Sequence, residues 1–170
     1  MGFLTVEDID ALVGGSNNMT YAQKMEIVKE CKSQLIGYFE QAYLKSSSTP
    51  DKSYSRQAAT MCIATAIAYS AGGDGLISRA EYEFVKEMFG ESDDYDIRYH
   101  MQISGGYETF CYQLSSNKGK FWTDNFIEKA KYLNLGDKKS VAAFMFLFAS
   151  SDGEITEAEK RSILDLLNKI

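Results

Sequence analysis

The sequence predicts an all-α fold: a single-domain bundle of about eight helices. Only one proline, Pro50, occurs in 170 residues, and the apolar residues recur at intervals of three and four rather than two. We find no segment with the pattern of a strand. Because 45% of the residues are hydrophobic, the chain can bury one core, and we divide it into an N-terminal helix with its linker, 1–18, and a helical domain, 19–170.

The first two predicted helices are bounded by caps and breakers. Thr5 can cap a short helix that ends at "GGSNN", residues 14–18. Thr20 and Gln23 then form a capping box in front of a long amphipathic helix, which "SSSTP" terminates. The first helix is therefore expected to be an appendage to the bundle.

The rest of the chain is also predicted to be helical. The Ala-rich segment at about 53–71 is apolar on most sides, which indicates a central, closely packed helix. Gly90, Gly105-Gly106 and Gly136 are predicted breaks, and Asp137 is a predicted cap. The later helices are expected at about 80–89, 93–103, 107–115, 124–135 and 138–149, with a final helix after "SSDGEIT".

Charge and cysteine content limit the partners and the compartment. A net charge of −6 disfavours binding to nucleic acid or to an anionic membrane surface. The three cysteines are widely spaced without a CxxC, which supports neither a disulfide framework nor a zinc site and favours a reducing, cytoplasmic location. The N-terminus lacks a basic signal-peptide region, and the longest apolar run, 141–149, is too short to cross a membrane.

An acidic turn occurs twice, with Asp74 and Asp152 standing 78 positions apart in "SAGGDGLISRAEY" and "FASSDGEITEAEK". Each copy follows a predicted buried helix and precedes an amphipathic one, which indicates an internal repeat of a helix-turn-helix unit. The matched pairs are Ala71 with Ala149, Asp74 with Asp152, Gly75 with Gly153, Ile77 with Ile155, Ser78 with Thr156, Ala80 with Ala158, and Glu81 with Glu159.

Most residues of the repeat have a structural explanation. The glycine supplies the positive φ of a sharp turn, and the isoleucine packs back toward the core. Ser78 with Glu81, and Thr156 with Glu159, are capping boxes. The aspartates are left without a comparable role.

An EF-hand loop fits the repeat only in part. Its glycine, aliphatic and glutamate positions fall on Gly75, Ile77 and Glu81, but its first and third ligand positions fall on Ser70 and Gly72. The second copy is equally deficient. One such loop cannot supply the six to eight oxygens that Ca²⁺ prefers.

Two "A-x-x-D-G-x-I-[ST]-x-x-E" turns in an all-helical chain resemble the TerB family associated with tellurite resistance. The resemblance covers roughly 20–170, although "SAGGDG" and the segment 90–110 depart from the family pattern. It implies a single helical domain with pseudo-twofold symmetry, whose two acidic turns lie close together. It also implies a non-enzymatic, cytoplasmic protein of the tellurite, metal or chemical stress response that binds divalent cations and works with membrane-associated or signalling proteins.

Carried onto this sequence, the resemblance implies a shared metal site in which four carboxylates supply what one loop lacks. The cofactor would be a divalent cation that prefers oxygen ligands, such as Ca²⁺. The residues of this site would be Asp74, Glu81, Asp152 and Glu159.

Two alternatives stay open beside the metal site. The turns can be purely structural, with the protein acting as a scaffold or adaptor, and exposed Phe121 and Trp122 would then form a docking patch. A hydrolase or transferase is disfavoured because His100 is the only histidine, expected at the surface or half-buried, and no nucleophile signature lies near it. The acidic run "ESDDYD", 91–96, is interpreted as a solvated helix start.

Overall fold

The computed structural model describes residues 2–71, 77–90 and 94–170, and all regular structure within these ranges is helical. The all-α prediction is confirmed. The described ranges hold nine α-helices: α1 Val6–Asn17, α2 Tyr21–Ser46, α3 Ser55–Ser70, α4 Arg79–Met88, α5 Tyr95–Met101, α6 Tyr107–Ser116, α7 Lys120–Ala130, α8 Leu135–Ala149 and α9 Glu157–Leu167. Three short 3₁₀-helices lie at Lys52–Tyr54, Ile103–Gly105 and Ser150–Asp152.

Helix α3 forms the centre of the bundle, as its composition predicts. Every residue from 58 to 68 is buried, and α3 contacts α2, α5, α7, α8 and α9. Its many alanines let neighbouring helices approach closely on all sides. Helix α8 is the second buried helix, and its Phe144, Phe146 and Phe148 are almost wholly enclosed in the core.

Helix α1 is longer than predicted, because the expected break at 14–18 is wrong. The helix continues through Gly14 and Gly15 to Asn17. Asn18 terminates it, since its backbone N–H and its side-chain Nδ2 both donate to the Gly14 carbonyl, at 3.2 and 2.7 Å. Contacts with α8 compensate for the low helix propensity of the two glycines.

The boundary between α7 and α8 also differs from the prediction. Helix α7 ends at Ala130, and Gly136 lies inside the first turn of α8 rather than terminating α7. The cap of α8 is Asn134, whose Oδ1 accepts a hydrogen bond from the Asp137 N–H at 2.8 Å. Asp137 instead occupies the first turn of the helix, where its charge interacts favourably with the helix dipole.

All three cysteines, Cys31, Cys62 and Cys111, are free thiols. Within the described ranges, none of the helices has both the length and the apolar character required to cross a membrane.

The acidic run at 91–96 is not simply a solvated face. Residues 91–93 lie outside the described ranges, but the Asp94 side chain is only 5% exposed. Its Oδ2 accepts hydrogen bonds from Lys32 Nζ at 2.6 Å and from the Gly90 N–H at 2.9 Å. Lys32 also donates to the Met88 carbonyl at 2.7 Å, so this buried ion pair ties α2 to the end of α4.

His100 is buried, with 7% exposure, so the expectation of a surface or half-buried histidine is wrong. Its ring packs edge-on against Trp122, with 5.8 Å between ring centroids. Its Nε2 has no hydrogen-bond partner among the described residues. Burial lowers the pKa of His100, and this effect outweighs the Asp96 charge and a hydrogen bond to the Gln57 backbone, which both act to raise it.

We expect Asp94→Asn to lower the free energy of unfolding by about 3 kcal/mol, because Lys32 would keep a largely buried charge without its counter-ion. Urea denaturation measures the change. Asp124→Asn is the matched control: it removes the acid of the exposed Lys120–Asp124 pair on α7, and such pairs contribute little. Equal effects of the two substitutions would contradict a special role for the buried pair.

We also expect the protein to lose stability as the pH falls below the ordinary histidine value of 6.5. The folded-state pKa of His100 is lowered, so the unfolded chain binds the proton more readily and protonation favours unfolding. Urea denaturation from about pH 7.5 to about pH 5.5 measures the slope. The slope should be smaller in His100→Gln, and an identical slope in both proteins would assign the effect to other groups.

Candidate metal centre

The second acidic turn is built by the end of α8 and the start of α9. The 3₁₀-helix Ser150–Asp152 follows α8 directly, and Gly153 reverses the chain with φ 142° and ψ −150°. Only glycine adopts this region without strain, so the prediction of a positive φ is confirmed at Gly153. Its counterpart Gly75 lies outside the described residues.

Both predicted capping boxes are present. Ser78 Oγ accepts from the Glu81 N–H at 3.0 Å, while Glu81 Oε1 accepts from the Ser78 N–H at 2.9 Å. Thr156 and Glu159 make the same reciprocal bonds at 3.1 and 2.8 Å. Each box directs a glutamate carboxylate back to the N-terminus of its own helix, α4 or α9.

The start of α4 and the second acidic turn meet in space. Ser78 Oγ, at the start of α4, donates to Asp152 Oδ2 at 2.9 Å. One carboxylate oxygen from each of Glu81, Asp152 and Glu159 lies within 4.8 Å of the others, and we call these three residues the acidic cluster. Glu81 is 1% exposed and Glu159 is 6% exposed, whereas Asp152 faces solvent.

The structure thus brings together three of the four predicted metal ligands. Asp74, the fourth, belongs to residues 72–76, which lie outside the described ranges. The described cluster combines residues from both copies of the repeat, as the idea of a shared site requires. Its formation depends on tertiary contact between α4 and the 3₁₀-helix Ser150–Asp152.

Lys24 is a neighbour of the cluster that sequence reasoning missed. Its side chain is buried, and its Nζ donates to the Ser150 carbonyl at 2.6 Å. Burial lowers the pKa of Lys24, while the charge of Asp152 acts in the opposite direction. The sequence contains one indication that Lys24 is buried: it lies beside Met25 and four residues before Val28, within the apolar stripe of α2.

Asn17 supports the second turn from α1. Its Oδ1 accepts a hydrogen bond from the Ile155 N–H at 2.9 Å. In the sequence, Asn17 belongs to "GGSNN", which is typical of a helix break. No local pattern therefore indicates its hydrogen bond with Ile155. The first helix therefore holds the chain that leads into α9.

The cluster has the chemistry of a site for a hard cation. Carboxylate oxygens are the preferred ligands of Ca²⁺ and Mg²⁺, and three like charges at this separation repel one another. Burial of two of the three residues strengthens the repulsion, because the dielectric is lower than in water. A complete coordination shell would need further oxygens beyond these three carboxylates.

The two residues of the predicted docking patch differ in exposure. Phe121 is 70% exposed, but Trp122 is half-buried and its ring lies against His100. The two rings contact each other edge-on, with 6.3 Å between centroids, and Phe121 supplies most of the exposed apolar surface.

No protein-family model, no curated protein and no solved structure matches the chain.

We expect Lys24→Met to lower the free energy of unfolding by about 1–3 kcal/mol, because the buried Ser150 carbonyl loses its charged donor and keeps only the longer bond from the Gly153 N–H at 3.2 Å, while the apolar stem is kept. Urea denaturation of the variant and the wild type measures this. Lys29→Met, at an exposed position of the same helix, is the control and should change stability by less than about 0.5 kcal/mol. A Lys24 variant as stable as the control would show that the bond to Ser150 contributes nothing.

Proposed function

We propose that this protein is a non-enzymatic helical module that binds a divalent cation, Ca²⁺ or another ion that prefers oxygen ligands. Glu81, Asp152 and Glu159 would be ligands, with Asp74 as the fourth acidic residue. The observation that supports this proposal most directly is the convergence of three carboxylates, from both copies of the repeat, within 4.8 Å.

Electrostatics favours a cation at this place. Bringing three carboxylates together costs free energy that solvent cannot fully screen, because two of the residues are buried. Lys24 offsets part of this charge through its proximity to Asp152, but its Nζ donates to the Ser150 carbonyl. A dication between the carboxylates would neutralise more charge than one ammonium group does.

The proposed ion would also link the two halves of the chain. Glu81 stands at the start of α4 and Glu159 at the start of α9, and each is held there by its capping box. Ser78, at the start of α4, already donates a hydrogen bond to Asp152 in the second turn. Coordination of an ion would strengthen the connection between the same two parts of the chain.

The wider role we propose follows the resemblance to the TerB family. The protein would be a TerB-like domain with an internal pseudo-twofold repeat, acting in the cytoplasm in a tellurite, metal or other chemical stress response. Its partner would be a membrane-associated or signalling protein. The two matched motifs and the proximity of Glu81 from the first copy to Asp152 and Glu159 from the second support this proposal.

The second candidate function is a protein-interaction scaffold in which both turns are purely structural. The capping boxes account for Glu81 and Glu159 without an ion, and the bond from Ser78 accounts for Asp152. The exposed ring of Phe121 favours this alternative, since its 70% exposure is high for a large apolar side chain.

Calorimetric titration with Ca²⁺, Mg²⁺ and Mn²⁺ tests the first proposal. We expect saturable binding to the wild type and at least a tenfold weaker affinity in Glu159→Gln and in Asp152→Asn, since each removes one ligand charge. Glutamine preserves the capping box, as Gln23 does at the start of α2. Glu157→Gln, an exposed position on α9, is the control with the same change in net charge.

The same ion should raise the melting temperature of the wild type, because a ligand of the folded state stabilises it by about 2.7 kcal/mol at 100 times its Kd. Flat titrations for the wild type would favour the scaffold. Equal affinities in all four proteins would place the binding site elsewhere in the chain.

A further inference from the structure

A second potential site lies on another face of the bundle, between α1, α2 and α8. It is a cavity of about 250 Å³, open to solvent on one side. Its residues are almost all apolar, and none is charged. Among them are Leu12, Gly15, Ser16, Met19, Ile27 and Ala143.

Small residues leave this space open. Ala11 and Gly15 lie on α1 and Ala143 on α8, so the two helices pack without filling the volume between them. A Cβ atom added at Gly15 would meet nothing within 4 Å. The longer side chains of Met19 and Ile27 close the cavity from the side of α2.

Ser16 places a hydroxyl in the wall of this cavity. The residue is 5% exposed, yet its hydroxyl makes no hydrogen bond within the part of the chain that the structure describes. By contrast, the other buried serines of the described α-helices, Ser55, Ser70 and Ser162, each donate to a backbone carbonyl. The hydroxyl is accessible from the open cavity rather than fully enclosed, so a ligand there can form a hydrogen bond with it.

Cys31 supplies the second polar side chain of the wall. Burial raises the pKa of its thiol, so the group stays neutral near pH 7. Since no other polar side chain contributes, the cavity offers nothing that could balance an ionic ligand.

We propose that this cavity binds a small, uncharged and mainly apolar molecule that carries one hydrogen-bonding group. The apolar walls would bury the body of the ligand, and the Ser16 hydroxyl would bond its polar group and set its orientation. The cavity shares no residue with the acidic cluster. The two proposals are therefore independent and can be tested separately.

The probe for this site is 4-propylphenol, an uncharged ring with one hydroxyl, titrated into ¹³C-methyl-labelled protein and followed by NMR. We expect saturable shifts at the methyl groups of Leu12, Met19 and Ile27. Gly15→Leu should weaken the affinity at least about tenfold by occupying the cavity. Gly14→Leu is the matched control: a Cβ there also meets nothing within 4 Å, but Gly14 does not line the cavity, so its affinity should stay within about twofold.

A second measurement isolates the role of Ser16 and does not depend on the folding of the leucine variants. Wild-type protein should bind 4-propylphenol about fivefold more tightly than propylbenzene, which lacks the hydroxyl. Ser16→Ala removes no described hydrogen bond and should fold normally, and its preference should fall to about one. Shifts that do not saturate, or equal affinities in the Gly14 and Gly15 variants, would overturn the proposal. An unchanged preference in Ser16→Ala would overturn the assignment of Ser16.

Discussion

The candidate metal centre depends on two capping boxes at the starts of α4 and α9. Each box holds a glutamate by a hydrogen bond from the backbone of its own helix, so the carboxylates of Glu81 and Glu159 have little freedom to move apart. Because α4 contacts the 3₁₀-helix Ser150–Asp152, the two caps come close enough for Asp152 to join them. Two helix caps that local sequence determines thereby bring negative charges together in the tertiary structure.

The positive charge of Lys24 offsets part of the repulsion in the cluster, and two side chains from other helices hold the second turn in place. Lys24 reaches the Ser150 carbonyl from α2, and Asn17 reaches the Ile155 N–H from α1. Both contacts brace the second turn from outside the repeat. Glu81 and Glu159 cap their helices whether or not an ion is bound, so a measured cation affinity distinguishes the two proposed functions.

The apolar cavity shows a different way in which this bundle departs from ideal packing. Because Gly15 and Ala143 are small, the space between α1 and α8 stays unfilled. The Ser16 hydroxyl has no hydrogen-bond partner there among the described residues. At the acidic cluster, by contrast, every described carboxylate takes part in a hydrogen bond. The acidic cluster therefore suits a cation, whereas the apolar cavity suits an uncharged molecule.

The sequence by itself determined the all-helical class and the capping boxes of α2, α4 and α9, because these depend on residues within a few positions of one another. Three of the predicted metal ligands, Glu81, Asp152 and Glu159, lie together in the structure. The tertiary structure decided what long-range contact controls. The bond of Lys24 to Ser150 spans 126 positions and that of Lys32 to Asp94 spans 62, and α1 passes through two glycines because α8 lies beneath it. Burial of Asp94 and His100 likewise depends on neighbours that no local pattern specifies.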